Sequence, residues 1–141
     1  MDDVQIARVT QSFSAQSIMA TFGAKLAEVE TGRVVIEAPI LPGSKQQQGF
    51  GHAGLTFSIG DSAAGYAALG TMPLDSEVLT AEMKINLLAP ARGDLLRATG
   101  RVIKPGRRLV VVGAEVHAIR NGDLTLVAVM QGTMLPVPAQ G

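Results

Sequence analysis

The sequence contains no cysteine and no tryptophan, and only five of its 141 residues are aromatic (four Phe and one Tyr). The absence of cysteine excludes disulfides, thiolate zinc sites and cysteine nucleophiles. The two histidines, His52 and His117, lie too far apart in the sequence to suggest a metal site. We therefore expect chemistry without a bound metal.

Neither a charge excess nor a long apolar segment is present. Twelve acidic residues balance twelve basic ones, so no overall field attracts nucleic acid or an anionic membrane. No run of ~18 or more apolar residues could span a bilayer, and the N-terminus lacks the basic and apolar segments of a signal peptide. We expect a soluble cytoplasmic protein that binds neither nucleic acid nor membrane.

What the sequence does contain is apolar, because hydrophobic residues make up 47% of it and charged residues 17%. In a small soluble protein this composition indicates that a second copy of the chain covers part of the apolar surface. The length suits one domain with a substantial core. Any anionic ligand would have to be held by a local basic cluster.

The residue pattern predicts an α+β domain with a largely antiparallel sheet. Residues 3–20 show an irregular amphipathic pattern that predicts one or two helical turns. Residues 53–70, rich in Ala and Gly, predict one long buried helix. Alternating patterns and turn sequences such as "NGD" predict strands over 24–30, 33–40, 77–91, 93–106, 107–123 and 124–137. Because strands follow strands, the sheet is antiparallel rather than doubly wound, with the helix lying across one face.

The predicted helix contains a single charge, Asp61. Its neighbours three and four positions away are uncharged, and no Lys or Arg occurs between Lys45 and Lys84. A buried carboxylate without a partner costs several kcal/mol, which natural sequences tolerate where the carboxylate has a task. Alternatively, Asp61 faces solvent, or Gly60 ends one helix and Asp61 begins another.

Two longer stretches resemble a known family. They are "GFGHAGLTFSIGDSAAGYAAL" and "TAEMKINLLAPARGDLLRATGRVIKPGRRLVVVGAEV". Together they look like the PaaI-type acyl-CoA thioesterases of the hotdog superfamily, in which a "G…HGG" turn enters a central helix that carries an Asp or Glu in its third turn. The resemblance extends over about 23–135. It implies a hotdog fold, an antiparallel sheet wrapped around one long helix, in a single domain over 1–141 with an N-terminal helical segment at 1–22.

The resemblance implies a role for each of five residues. Asp61 matches the helix carboxylate that acts as general base or nucleophile toward the thioester. Ala53 matches a glycine whose backbone N–H, at the helix start, polarises the thioester carbonyl. Gln46 matches the residue that orients substrate or the attacking water, Thr80 a hydroxyl near the carboxylate, and Gly65 a pocket-lining position. In this family the helix carboxylate of one subunit faces the loop and helix start of the other.

The turn before the helix reads His-Ala-Gly rather than His-Gly-Gly. Only the backbone N–H of Ala53 is required, so the change is harmless if φ is negative, as we expect at a helix start. We expect His52 to hold the loop by hydrogen bonds and to act on the site indirectly. Gly54 and Phe57 are expected to bind substrate, and further candidates for the pocket wall are Phe50 and Tyr66.

A basic turn, "KPGRR" at 104–108, is the best candidate for an anion site. Coenzyme A carries several phosphate charges, which Arg107 and Arg108 could bind. Three further arginines on neighbouring strands, Arg92, Arg97 and Arg101, are candidates for the same patch. The alternative is an exposed basic turn without a ligand.

We therefore predict hydrolysis of a small aromatic or medium-chain acyl-CoA to free acid and CoA. A fixed dipole at the developing oxyanion and a carboxylate suffice for a thioester, so no cofactor is expected beyond the coenzyme A of the substrate. The expected assembly is a homodimer or a dimer of dimers. The sequence leaves two alternatives open: a non-catalytic acyl-CoA-binding protein, and an acyl-thioester hydratase or dehydratase on the same fold.

Overall fold

The computed structural model, which describes residues 3–140, contains three α-helices and six strands. In chain order they are α1 (Asp3–Ala15), α2 (Ser17–Thr21), β1 (Lys25–Glu30), β2 (Arg33–Pro39), α3 (Ala53–Leu69), β3 (Ser76–Leu87), β4 (Leu95–Lys104), β5 (Val110–Arg120) and β6 (Asp123–Pro138). A short 3-10 helix, Pro42–Ser44, lies between β2 and α3. The predicted order of elements from β1 onwards is confirmed.

All six strands belong to one antiparallel sheet with the order β1-β2-β4-β5-β6-β3. Helix α3 crosses one face of this sheet, and eleven of its seventeen residues are buried. The core lies between them and is formed by alternate strand residues, such as Val34 and Ile36 of β2, packed against Leu55 and Ile59 of α3. This is the hotdog architecture that the sequence predicts.

The hairpin predicted at "NGD" is present between β5 and β6. Asn121 and Gly122 adopt φ values of 52° and 84°, the left-handed conformation that a two-residue hairpin turn requires. Helix α3 is continuous through Gly60, so the alternative of a helix break before Asp61 is wrong. Within residues 3–140, none of the helices is long and apolar enough to cross a bilayer.

The prediction of one or two helical turns for residues 3–20 is wrong, because α1 alone spans 13 residues. Docking on the body stabilises it. The Arg8 guanidinium donates hydrogen bonds to four backbone carbonyls, and Val9 is fully buried in the core. The four carbonyls, at 2.7–3.3 Å, belong to Leu69, Met72, Pro73 and Ser76. A charged donor at the C-terminal end of a helix satisfies carbonyls that have no partner within the helix.

Candidate active site

At the N-terminal end of α3, one backbone N–H has no hydrogen-bond acceptor among residues 3–140. His52 caps the helix, with φ −66° and ψ 146°, and its Nδ1 accepts a hydrogen bond from the Gly54 N–H at 2.7 Å. Ala53 is the first helical residue, it is exposed, and no acceptor within residues 3–140 faces its N–H. Its φ is not positive, so the Cβ that replaces the family's glycine causes no strain. The group is a free donor at the positive end of a helix dipole.

A tight loop before α3 is built around the side chain of Gln46. Its Oε1 accepts hydrogen bonds from the backbone N–H groups of Gln48 and Phe50, and its Nε2 donates to the Gln48 side chain at 3.1 Å. Gly49 allows the loop to turn, with φ at +90°. Gln46 and Ala53 line the same cavity, of about 430 Å³, which ends against Leu87 and Leu88 at the end of β3.

Asp61 lies on α3 at the edge of a second cavity, of about 360 Å³. Its Oδ1 accepts a hydrogen bond of 2.7 Å from the hydroxyl of Thr80 on β3. A β-bulge between Thr80 and Glu82 interrupts the register of β3 with β6 at this point. Burial raises the pKa of the Asp61 carboxyl above its ordinary value, and the Thr80 hydrogen bond partly opposes the rise.

Within one protomer, the acid and the amide do not meet. Asp61 follows Ala53 by eight residues on one helix, which separates them by ~12 Å along the axis. The structure therefore brings the predicted residues together in two groups: Gln46 with Ala53, and Asp61 with Gly65 and Thr80.

The other predicted residues lie outside both groups. Gly54 donates its N–H to His52, and a Cβ at this position would approach His52 Nδ1 to 3.0 Å, so glycine permits the cap. Phe57 is half-buried against the core. Arg107 and Arg108 lie on the exposed turn between β4 and β5.

Two of the three additional arginines do not join that turn. Arg92 precedes β4, whereas Arg107 follows it, so the two lie at opposite ends of the strand. Arg97 forms an ion pair with Glu28, with 2.6 Å between Nη2 and Oε2. Strand patterns gave no indication of either arrangement, because both depend on contacts with the β1–β2 region or with the loop around Gln46.

A third cavity, of about 490 Å³, contains a basic cluster that the sequence did not single out. Lys45, Arg92 and Arg120 line it together with Asp94. The Arg92 guanidinium lies 5.0 Å from the centre of the Phe50 ring. This basic cleft adjoins the cavity of Gln46 and Ala53, since both are lined by Gln48, Phe50 and Ala91.

A polar cluster beside Asp61 was also not predicted. The Tyr66 hydroxyl accepts hydrogen bonds from Gln16 Nε2 at 2.8 Å and from the Ser12 hydroxyl at 3.2 Å. Ser62 donates to Gln16 Oε1 at 3.1 Å. Ser62 and Tyr66 are four residues apart on α3 and so share a face, but the sequence carries no sign that Gln16 meets them.

Within residues 3–140, no three His, Cys, Asp or Glu side chains form a group that could hold a metal ion. The polar groups of the candidate site are a carboxylate, hydroxyls, amides and a free backbone N–H. This set can orient a carbonyl, stabilise negative charge on its oxygen and supply a base or a nucleophile.

Comparison with known proteins agrees with this chemistry. The model of the thioesterase superfamily matches residues 48–125, more than half of the chain. A crystal structure of a thioesterase family protein from Silicibacter pomeroyi is 38% identical, with a TM-score of 0.94 over 96% of this chain and 99% of that one. A protein of Saccharolobus solfataricus with a provisional esterase name is 32% identical over 72% of this chain and 71% of its own length.

The PaaI protein of Escherichia coli, from the phenylacetic acid degradation operon, has the same fold. Its TM-score is 0.85 over 97% of this chain and 96% of that one, at 19% identity. The chain described here belongs to the thioesterase superfamily, with the PaaI-type hotdog fold that its sequence predicts, and it is a thioester hydrolase.

Proposed function

We propose that this chain hydrolyses the thioester of a small aromatic or medium-chain acyl-CoA, releasing the free acid and coenzyme A. The observation that carries the proposal is the position of Asp61: it borders a cavity, accepts a hydrogen bond from Thr80 and has a pKa raised by burial. A carboxylate in such surroundings is a stronger base than one in bulk water, and it remains reachable by substrate.

Two balanced routes use the same residues. As a general base, Asp61 takes a proton from water while the water oxygen attacks the carbonyl carbon, and the C–S bond breaks to release the CoA thiolate, which then takes up a proton. As a nucleophile, a carboxylate oxygen of Asp61 attacks and expels the thiolate, and water then hydrolyses the mixed anhydride. In both routes a free N–H such as that of Ala53 stabilises the developing oxyanion.

A second protomer would complete the site. Strand β3 is an edge strand, and its Leu79 and Leu87 side chains are 56% and 55% exposed. The end of β3 borders the cavity of Ala53, and the start of β3 carries Thr80 beside Asp61. Antiparallel pairing of two β3 strands would bring the end of one against the start of the other, and so the Ala53 amide of one protomer towards the Asp61 carboxylate of the other.

The same pairing supports a place for the phosphates of coenzyme A. Val110, at the start of β5, pairs with Met134, which pairs with Thr80, so the turn of Arg107 and Arg108 lies at the Asp61 end of the sheet. In the proposed dimer this turn would approach the partner's basic cleft. We expect Arg107→Gln/Arg108→Gln to raise KM and to weaken its dependence on salt. Lys25→Gln, which removes an exposed charge from β1 at the opposite edge of the sheet, is the control.

The direct test measures thiol release from a panel of acyl-CoAs by the wild type and by Asp61→Asn. We expect Asp61→Asn to lower kcat by about 10²–10⁴-fold, the range that general bases supply. Asp123→Asn, an exposed acid at the β5–β6 turn, serves as control and should match the wild type. Turnover by Asp61→Asn at the wild-type rate would remove Asp61 from the mechanism. Binding without thiol release from any acyl-CoA would favour the non-catalytic alternative, and addition of water to a 2-enoyl-CoA would favour the hydratase.

The two-protomer arrangement has its own test. Asp61→Asn and Ala53→Pro, which removes the N–H, are each expected to be nearly inactive. Unfolded together and refolded, they form mixed dimers in which one site carries both changes and the other carries neither. Random mixing should then restore about a quarter of wild-type turnover per chain. A mixture no more active than its components would mean that both groups act within one protomer.

A further inference from the structure

The N-terminal segment, formed by α1 and α2, supplies one wall of the cavity beside Asp61. Ser12, Ala15 and Gln16 line this wall. The segment lies before residues 48–125, which match the thioesterase superfamily. The hydrogen bonds of Arg8 to the end of α3 and the start of β3 hold the wall at a fixed position relative to Asp61.

Hydrogen-bonding capacity remains free on this wall. The Tyr66 hydroxyl oxygen accepts from Gln16 and also pairs with the Ser12 hydroxyl, and because one hydrogen bond joins two hydroxyls, one proton of this pair is available to a further acceptor. The second amide hydrogen of Gln16 likewise has no acceptor within residues 3–140. Tyr66 is only 4% exposed, and its ring lies edge-on to Phe13 with 6.2 Å between the ring centres, so the hydroxyl is held in place.

Gly65 keeps the path from Asp61 to this wall open. It lies one turn after Asp61 on the same face of α3, and it lines the same cavity as Asp61 and Tyr66. A Cβ built on Gly65 would meet no atom closer than Met134 Cε, at 3.8 Å. The space beside the helix therefore runs from the carboxylate to the polar groups without a side chain between them.

We propose that Tyr66 and Gln16 are specificity-determining residues that bind an oxygen-bearing group, a hydroxyl or a carbonyl, at the end of the acyl chain remote from the thioester. The inference rests on the proposed function, because it places the acyl group in the Asp61 cavity. A substrate without such a group would bury the free donors unsatisfied, and sites built to hydrogen-bond a substrate reject analogues that lack the partner.

The simpler role for these hydrogen bonds is to dock α1 on α3. Docking alone predicts that removing the Tyr66 hydroxyl lowers stability but leaves the choice of acyl group unchanged. Ligand discrimination therefore separates the two roles.

The experiment measures dissociation constants by calorimetry on the Asp61→Asn variant. This variant is expected to hydrolyse the thioester too slowly to consume the ligand during the measurement. The ligands are matched pairs: hexanoyl- and ω-hydroxyhexanoyl-CoA, heptanoyl- and ω-hydroxyheptanoyl-CoA, and octanoyl- and ω-hydroxyoctanoyl-CoA. We expect the hydroxylated member of at least one pair to bind about 5–50-fold more tightly. Adding Tyr66→Phe or Gln16→Met should reduce this preference to less than about threefold. Ser14→Ala, on the exposed side of α1, should leave it unchanged.

Equal binding of both members in every pair would overturn the inference. So would a preference that survives both Tyr66→Phe and Gln16→Met, even if their melting temperatures fall. Thiol release by the wild type is measured separately on the same six compounds. Hydrolysis of all six without preference in binding would reject the inference and leave the proposed function standing, whereas a binding preference without hydrolysis would do the reverse.

Discussion

Two glycines, one in helix α3 and one on the strand that packs against it, differ in what surrounds them. Gly100, on β4, lies so close to the helix that a Cβ would overlap the main chain at Ala63 and Ala64. Gly65, on the helix itself, has its nearest neighbour for a Cβ at 3.8 Å, on the flexible side chain of Met134. One face of α3 is thus held by direct contact between its main chain and that of β4. The other face borders the cavity beside Asp61.

The difference explains how the fold can hold a carboxylate that has little around it. Asp61 lies on the side that borders the cavity, and among residues 3–140 Thr80 is the one side chain that donates a hydrogen bond to it. Its position is set by the opposite side of α3, where the helix backbone packs directly against Gly100 of the sheet. A catalytic group needs a fixed position and free space for substrate at once, and here the two requirements fall on different faces of one helix.

The largest effect on stability is expected from Gly100→Ala. The added methyl group meets backbone atoms, which cannot rotate away, so helix and strand must separate. We expect a loss of about 3 kcal/mol or more in the free energy of unfolding, or failure to fold, measured by urea denaturation. Gly43→Ala is the control, since nothing lies within 4 Å of a Cβ there. Equal midpoints for Gly100→Ala and the wild type would contradict the rigid contact.

The next effect is on turnover, from Ala53→Pro. Proline is tolerated at the first helical position, and His52 already has the extended conformation that a residue before proline requires. The change should therefore remove one N–H without unfolding the helix. We expect kcat to fall by about 10²–10³-fold, as when one oxyanion donor is lost.

Ala53→Gly, which keeps the N–H, should remain within a few-fold of the wild type. Thermal unfolding of all three proteins checks that the fold is retained. If Ala53→Pro turns over at the wild-type rate, the oxyanion donor lies elsewhere in the molecule.

The pH dependence of kcat/KM is a third test, and it concerns the face of α3 that carries Asp61. Burial raises the pKa of the Asp61 carboxyl, so kcat/KM should fall on the acid side with a midpoint above 3.8, its ordinary value. Thr80→Val removes the hydrogen bond that opposes the rise, so its midpoint should move further up. Thr133→Val, which loses a hydrogen bond to the exposed Glu82, should leave the midpoint in place. An unchanged acid limb in Thr80→Val would mean that Asp61 does not set it.

The same shift has a consequence for stability. Because the folded chain binds this proton more tightly than the unfolded chain, the free energy of unfolding falls as the pH rises through the folded-state pKa of Asp61. Asp61→Asn removes that ionisation. At neutral pH the variant should therefore be at least as stable as the wild type in urea denaturation, although its turnover is lost. A clear loss of stability would mean that the carboxylate has a structural role.

Local sequence patterns predicted helix α3 and the strands that pack against it. The Ala/Gly-rich composition of 53–70 gave the buried helix because small residues allow close packing, and "NGD" gave the β5–β6 turn because Asn and Gly tolerate positive φ. The motif around His52, together with the stretch over 80–116, indicated the fold family. Each of these signals lies within one continuous stretch of sequence.

Contacts between distant segments could not be predicted in this way. Arg8 reaches carbonyls more than sixty positions away, and Gln16 meets Tyr66 fifty positions away. Neither side chain belongs to a periodic pattern from which its hydrogen-bond partner could be predicted. Lys45, Arg92 and Arg120 likewise form one cleft only because the loop around Gln46 folds back beside the β5–β6 turn.

The smallest effect is expected from Gly65→Ala. In a helix interior Ala is preferred to Gly by about 0.5–1 kcal/mol, and the added methyl group clashes with nothing, so the free energy of unfolding should rise by that amount. The methyl group also narrows the cavity, so kcat/KM for the longest acyl chains should fall a few-fold while short chains are unaffected. Gly60→Ala, where a Cβ would press on the Met130 sulfur, is the contrast and should be destabilising. A loss of stability in Gly65→Ala as large as that in Gly60→Ala would show that the face carrying Asp61 is packed as tightly as the face against the sheet.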